Sequence, residues 1–335
     1  MKIAILTPTF SHFSGIDRVV EMQAGDFVKK GHEVTIFTLI SSIASNGFKV
    51  VELGMPKTPF RQRIYRLFFS LMPARIREYA QMLKGYDRII SHFYPMDLIA
   101  IKAKEMYGIK YIAFNHGICF PHLFSNPLEQ MYMSMFKYFS NQAIKEADEV
   151  FSVSQFLADE LHRDTGVQSK VVHNRIDKKK FHPGIDGSNV RKKHHLKNEP
   201  VILFVGRLSP HKGVHLLIQA MKIVNENRSN AKLIIVGKPT FEGYYGRLKA
   251  LSGRNTIFAG FIDDNELPQY YASCDVYATA SLWEGFDIPV AEAQACGKPV
   301  VAFDIGSHRE VVKNGKLVKE GETRKFAKAI LDLIK

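Results

Sequence analysis

Cysteine is scarce in this chain. Only three occur among 335 residues, Cys119, Cys274 and Cys296, and no two are spaced as a pair, which argues against a disulfide framework or a zinc site and fits a reducing compartment. No apolar run approaches the length of a membrane span. After Met1 and Lys2 the apolar stretch Ile3, Ala4, Ile5, Leu6 is too short for the core of a secretory signal and reads as a buried strand. The fingerprint G-x-G-x-x-G is missing after that strand, where TFSHFSG offers only Gly15. The Walker phosphate loop is missing too, because Lys212 is followed by Gly213 and Val214 rather than by Ser or Thr. Nicotinamide dehydrogenases and P-loop kinases therefore lose weight. Acidic residues are also in deficit. With 46 Lys and Arg against 33 Asp and Glu, the formal charge is +13, which points to a polyanionic partner: phosphate groups, an anionic membrane or nucleic acid. The expected location is cytoplasmic, with attachment to the inner face of the membrane left open.

The composition, 46% hydrophobic and 24% charged, is that of a folded soluble protein, and the length suits two domains. Short apolar runs alternate with helix-length segments from end to end. KIAILTP (2–8), HEVTIFT (32–38), DRIISHF (87–93), KYIAFNHG (110–117), EVFSVS (149–154) and KVVHN (170–174) read as strands, with helices such as 16–30 and 98–107 between them. Residues 181–199, rich in Lys and His with Pro183, Gly184 and Gly187, read as a linker between domains 1–180 and 200–335. The alternation restarts with VILFVG (201–206), KLIIVG (232–237), TIFAGF (256–261), DVYATA (275–280) and PVVAFD (299–304). The expected class is α/β, two Rossmann-like doubly wound domains facing a central cleft, with ligands at the carboxyl ends of the strands.

Two stretches of the second domain carry chemistry. EGFDIPVAEAQACGKPVV (284–301) places Glu284 in a loop and Glu292 in the first turn of a short helix that opens near Pro289 and stops at Gly297. Alone, the pair reads equally as a dipole-complementing carboxylate with a solvated neighbour, or as two carboxylates around a polyhydroxylated ligand. After VILFVG, the residues Arg207 and Lys212 converge with a helix start near Val214, which makes a diphosphate site or a basic surface loop capped by Gly213. Asp263 and Asp264 precede the helical pattern NELPQYYA and read as an N-cap rather than as metal ligands.

A third stretch is basic and apolar at once. Residues 53–77 carry Lys57, Arg61, Arg63, Arg66, Arg75 and Arg77, no acidic residue, and interleaved Phe60, Ile64, Tyr65, Leu67, Phe68, Phe69, Leu71 and Met72. This is either a segment lying on an anionic bilayer, with Arg61, Arg63 and Arg66 on the lipid and acceptor side, or a core helix with a solvated basic edge.

GRLSPHKG (206–213) followed by EGFDIPVAEAQACGKPVVAFDIGSHREVV (284–312) resembles the family 4 retaining glycosyltransferases of GT-B fold. FSGIDRVV (13–20), NHG (115–117), VVHNRID (171–177) and GFIDDNELPQYYASCDVYATAS (260–281) extend the resemblance over nearly the whole chain. It implies transfer of a hexose-type sugar from a UDP- or GDP-linked donor to the hydroxyl of a lipid-linked or glycan acceptor, with retention and without a metal or other cofactor. Arg207 and Lys212 would clamp the donor diphosphate, Glu292 would take the ribose hydroxyls, and Glu284 would contact the sugar. The amides of Phe286, Asp287 and Ile288 would hold sugar hydroxyls, and Ile262 would frame the nucleobase. His116 would act near the reacting bond, although a structural role is open to it as well, and Gly15 would admit the phosphates or acceptor. Several positions depart from the family pattern: Asp287 and Arg175 stand where glycine is common, Ser14 replaces the first glycine of a pair, and Ser307, His308 and Arg309 replace a glycine-rich turn. Asp287 would add a carboxylate beside the sugar. Two rivals remain, a nucleotide-sugar epimerase of the same fold and a non-catalytic basic protein that binds sugar or nucleic acid, though no nucleic-acid motif is present.

Overall fold

The structure is a computed structural model that describes residues 1–11, 15–43, 47–124, 126–240 and 242–334. Ser14 and Phe13 lie outside these. The chain divides into two compact units, Met1–Asn174 and Arg175–Lys335.

The first unit contains β1 (Lys2–Thr7), α1 (Gly15–Lys29), β2 (Glu33–Thr38), β3 (Lys49–Glu52), α2 (Pro59–Leu67), α3 (Pro73–Gln81), β4 (Arg88–Ser91), α4 (Met96–Tyr107), β5 (Lys110–Asn115), α5 (Pro127–Lys145), β6 (Glu149–Ser152), α6 (Gln155–Thr165) and β7 (Lys170–Val171). Its strands form one parallel sheet in the order β3-β2-β1-β4-β5-β6-β7. Successive side chains of a strand serve opposite faces. Ile3 and Ile5 pack with Val20 and Ala24 of α1 on one side, while Ala4 and Leu6 pack with Tyr79, Ile99 and Ala103 of α3 and α4 on the other. Both faces are covered, which is why β1 reads as an unbroken apolar run rather than an alternation.

The second unit contains α7 (Ser188–Lys193), β8 (Val201–Val205), α8 (Val214–Asn227), β9 (Lys232–Val236), α9 (Glu242–Leu251), β10 (Thr256–Gly260), α10 (Leu267–Ser273), β11 (Val276–Thr279), α11 (Ile288–Ala295), β12 (Val300–Phe303), α12 (His308–Val311), β13 (Gly315–Val318) and α13 (Thr323–Leu331). The sheet is again parallel, ordered β10-β9-β8-β11-β12-β13. In each sheet the order reverses beside the first strand of the unit, at β1/β4 and at β8/β11. Loops leaving the carboxyl ends of those two neighbours diverge to opposite faces of the sheet, which opens a crevice for ligands.

The sequence reading needs correction at residues 181–199. This stretch is no free linker, because it is built into the second unit. Phe181 is buried with its ring 5.8 Å from that of Tyr271, and Lys180 lies 3.4 Å from Asp264. Arg191 donates to the carbonyls of Ser273 at 2.7 Å and Glu199 at 2.6 Å. Gly187 passes so close to α10 that a β-carbon there would stand 2.4 Å from the amide nitrogen of Ser273. The unit boundary accordingly falls at Arg175, ahead of the expected 180. Two short strands, β3 and β13, were also not expected. Asp263 and Asp264 are not the N-cap of α10, which is Glu266: Asp263 Oδ1 accepts the N–H of Asn265 at 2.9 Å in the turn before the helix, and Asp264 pairs with Lys180.

Candidate active site

At the β8/β11 switch point the two exit loops are stitched together. Gly213 ends the GRLSPHKG loop with φ +59, and a β-carbon on it would lie 1.8 Å from the carbonyl oxygen of Ala280, so both the left-handed backbone and the close approach call for glycine. The N–H of Leu282 then donates to the carbonyl of His211 at 2.8 Å. This seam carries Lys212 across to Glu284, Nζ to Oε1 at 2.5 Å, with both side chains largely buried. His211 is buried in the same loop. Burial, with the charges of Lys212 and Arg207 adding to it, pushes its pKa down to about 2 and keeps it neutral. Arg207 is exposed at the start of the loop.

The second half of the site is the turn into α11. Asp287 sits at its N-cap with φ +59, an uncommon conformation for any residue but glycine. The carbonyl of Asp287 takes the N–H groups of Val290 and Ala291, which leaves the N–H of Ile288 as the first orphan donor of the helix. The Asp287 carboxylate does not stand free beside a ligand, as expected from the sequence, but meets His308 Nε2 at 3.0 Å, while His308 Nδ1 donates to the carbonyl of Phe303 at 2.7 Å. Both ring nitrogens of His308 face acceptors, the arrangement of an imidazolium. Burial opposes that charge, yet the hydrogen bond to Asp287 and the fields of Asp287 and Glu284 hold the His308 pKa above its ordinary value. Burial also works against ionised Asp287, but the His308 hydrogen bond and Lys212 bring its pKa below the usual carboxylate value. Glu284 goes the other way: burial and the neighbouring Asp287 charge raise its pKa, and Lys212 offsets this only in part. Ser307 completes the grip by donating its N–H and hydroxyl to the Glu284 carbonyl, each at 3.3 Å.

Glu292 is 2% exposed and accepts the Tyr271 hydroxyl at 2.7 Å. It lies just beyond the first turn of α11, which begins at Ile288, one position ahead of expectation. Tyr277 is fully buried nearby. Burial raises its pKa far above the ordinary value, and the charges of Asp287, Glu284 and Glu292 add to the effect, while its ring packs 6.0 Å from that of Tyr271, the partner of Glu292. Lys212, Glu284, Asp287 and Glu292 are thus brought together, with Phe286 and Ile288 in the turn between them. Ile262 is buried after β10, the outer strand of the sheet, two strands over from β8.

In the first unit, His116 follows β5 and is itself buried. Its Nε2 is 2.9 Å from His92 Nδ1, and His92 Nε2 is 2.8 Å from Gln23 Oε1. Burial lowers the His116 pKa to about 4, and burial with the neighbouring His116 takes His92 well below 6.5. Both rings are neutral near pH 7. If Gln23 Oε1 accepts, His92 carries its proton on Nε2 and accepts at Nδ1, so His116 is protonated on Nε2 and presents a bare Nδ1. Asn115 secures the following turn, accepting the N–H of Gly117 at 3.0 Å. Gly15 opens α1. Asp17 in the first turn of that helix takes the N–H and hydroxyl of Ser11 at 2.9 and 2.8 Å. Burial outweighs these bonds and raises the Asp17 pKa to about 7.

Comparison with known families decides what these two units are. The description "Glycosyltransferase Family 4" matches residues 13–180, and "Glycosyl transferases group 1" matches residues 187–335. The chain belongs to the family 4 glycosyltransferases. This glycosyltransferase is 28% identical to an uncharacterized glycosyltransferase of Methanocaldococcus jannaschii over 94% of its own chain and 83% of the relative. It is 26% identical to the D-inositol 3-phosphate glycosyltransferase of Rhodococcus jostii over 96% of its chain and 76% of that protein. A GDP-mannose-dependent mannosyltransferase of Corynebacterium glutamicum, named for a monoacylated phosphatidylinositol monomannoside, is 30% identical over 72% of this chain and 65% of that protein. Among solved structures, sucrose-phosphate synthase from Thermosynechococcus elongatus superposes with TM-score 0.82 at 20% identity, covering 99% of this chain and 89% of that one. Anabaena HepE in complex with UDP-glucose superposes with TM-score 0.79 at 23% identity over the same shares. The fold is GT-B.

Sequence reasoning named His308 only as a departure from a glycine-rich turn, and it missed Ser307, Tyr271 and His92 as partners. One signal for His308 was present in this glycosyltransferase. Two departures from glycine, Asp287 and His308, carry opposite charges, as a buried pair requires.

Proposed function

We propose that the protein is a retaining hexosyltransferase that takes its sugar from a UDP- or GDP-linked donor and delivers it to a lipid-linked or glycan hydroxyl. The observation that carries this reading is the buried cation Lys212, held by Glu284 at 2.5 Å at the switch point of a parallel sheet. Rupture of the bond to the nucleoside diphosphate leaves negative charge on the phosphates, and fixed cations stabilise that charge more in the transition state than in the ground state. Lys212 and Arg207 supply it from the chain, so the reading assigns no role to a metal. Glu284 and the N–H of Ile288 are proposed for the sugar, Glu292 for the ribose, and Ile262 for the base. His116 enters as a neutral group with an accepting Nδ1, not as a cation. A relative named for a GDP-mannose donor and a structural neighbour holding UDP-glucose support a nucleotide-sugar donor. A thermal-shift screen of nucleotide sugars, followed by NMR of the anomeric linkage in the product, tests the proposal. A ligand at about 100 times its Kd adds roughly 2.7 kcal/mol of apparent stability. Absence of any shift across UDP- and GDP-sugars, or a product of inverted configuration, would overturn it.

The acceptor side of the reading is a membrane surface. No helix among the described residues is long and apolar enough to cross a membrane. On α2 and the turn after it, however, Phe60, Ile64, Phe68 and Leu71 recur at helical spacing and are exposed, Phe60 and Leu71 to 72%. The clean stripe that the sequence did not reveal is present here, because Tyr65, Leu67 and Phe69 form a second, buried face. Arg61 is exposed and Arg66 half-buried, whereas Arg63 is turned toward Glu129 of α5 at 3.8 Å. Co-sedimentation with phosphatidylglycerol vesicles is the measurement. Each basic residue near such a surface contributes about 1 kcal/mol, so replacing Arg61 and Arg66 by Gln should weaken binding at least tenfold. Unchanged sedimentation, or none by the unaltered protein, would remove the membrane from the proposal.

A further inference from the structure

Next to the exposed stripe of the first unit lies an open cavity to which the proposed donor contacts assign no residue. Its volume is about 370 Å3, and Leu53, Met55, Tyr65, Met72 and Tyr79 line it together with Arg75. That volume falls within the range of small-molecule pockets, about 300–1,000 Å3. The walls are fixed by the fold. Tyr79 donates its hydroxyl to the carbonyl of Leu53 at 2.9 Å, and the Phe69 ring lies between Tyr65 at 5.4 Å and Tyr79 at 6.4 Å. Tyr65 and Met72, both on the wall, are each one residue from Ile64 and Leu71 of the exposed stripe.

Among the described residues, Arg75 is the one charged member of the lining. Arg75 is exposed, its Nη1 donates to the Tyr65 hydroxyl at 3.3 Å, and its guanidinium stands 5.9 Å from the centre of that ring. Residues 53–77 contain five further basic groups and no carboxylate. An apolar cavity with a cation at its edge, next to an apolar surface, matches an amphiphile with one chain and one anionic head.

We propose that this cavity binds an acyl chain of an anionic phospholipid, with the lipid phosphate on Arg75. The proposal rests on the reading of α2 as a membrane-facing surface and adds to it a defined binding site, so that a single lipid is drawn out of the bilayer plane and held in place. Its occupant is distinct from the nucleotide-sugar donor.

Monomeric dihexanoyl phosphatidylglycerol, titrated into the full chain by calorimetry, tests it. One saturable site is expected. Dihexanoyl phosphatidylcholine should bind at least tenfold more weakly, and glycerol 3-phosphate, which has the anion without the chain, should show no measurable binding. Met72→Trp fills the cavity and should lower affinity for the short-chain lipid at least tenfold, with nucleotide-sugar binding and thermal midpoint unchanged. Met55→Trp serves the same purpose should Met72→Trp not fold. Arg75→Gln should erase the preference for the glycerol over the choline headgroup. No saturable binding, equal binding of glycerol 3-phosphate, or binding indifferent to both tryptophan variants would overturn the proposal. Vesicle sedimentation separates it from the surface reading. If the short-chain lipid binds while vesicles do not sediment the protein, the surface reading falls, and with it the withdrawal of a lipid from the bilayer, while the cavity stands as a site for a monomeric anionic lipid. Sedimentation without short-chain binding eliminates the cavity alone.

Discussion

His308→Ala will destabilise the second unit by about 3–5 kcal/mol, the usual cost of leaving one member of a buried ion pair without its partner. At roughly 2–4 °C per kcal/mol for a unit of this size, the thermal midpoint should fall by about 10 °C. The cost arises because Asp287 is buried, faces His308 Nε2 at 3.0 Å and, among the described residues, has no second cation in ion-pair contact, Lys212 being engaged with Glu284. Asp287→Gly in the same background should recover most of the loss, since it removes the stranded carboxylate and relieves the φ of +59 at that position. A double-mutant cycle measures the coupling, and a value under about 1 kcal/mol would show that the two groups do not act as a pair. The pH dependence has a definite sign. The His308 pKa is raised, so its contribution is fully present below the ordinary value of 6.5 and is lost as pH rises through the folded-state value. That of Asp287 is lowered, so its contribution is present above the ordinary 3.8 and is lost as pH falls through the depressed value. Stability from the pair is therefore full between about pH 4 and 6.5 and fades on the alkaline side. The unaltered protein should show this loss and the double variant should not.

The parts of this glycosyltransferase that were legible in its sequence are those set by local pattern. Strands such as VILFV and VYAT are buried at every position, and a parallel sheet covered on both faces leaves that imprint. The strands that escaped notice, KVVE and GKLV, close the outer edges of their sheets and carry charged residues in short frames, so their apolar signal is too brief to register. Residues 181–199 misled for the opposite reason. Their Lys and His content suggests a solvated linker, but the few apolar side chains, Phe181, Val190 and Leu196, are buried, and Arg191 spends its charge on carbonyls rather than on solvent. In the site, residue types and loops were legible while partnerships were not. Lys212 and Glu284 are 72 positions apart, and only the sheet order, which sets β8 beside β11, brings them into contact. The pairing of Asp287 with His308 depends in the same way on β12 lying next to β11.

Lys212→Ala should then produce two losses that can be pulled apart. Turnover of the nucleotide-sugar donor should fall by about 10²–10³ or more in kcat/KM, the scale seen when one preorganised group that stabilises developing negative charge is removed. Stability should fall as well, because Glu284, buried and already biased toward its neutral form by Asp287, loses the only cation in ion-pair contact with it among the described residues. Combining Lys212→Ala with Glu284→Gln removes the stranded charge, so the thermal midpoint should return close to that of the unaltered protein while turnover stays at or below its reduced level. Glu292→Ala provides the contrast. It leaves the Lys212–Glu284 pair in place and removes the carboxylate that accepts the buried Tyr271 hydroxyl, a loss of about 1–3 kcal/mol, yet under the proposed ribose contact it should also abolish donor turnover. The pattern separates structural from chemical roles: if the stabilised double variant recovers donor turnover along with its midpoint, Lys212 acts only through folding, and the assignment of this loop to the donor phosphates fails.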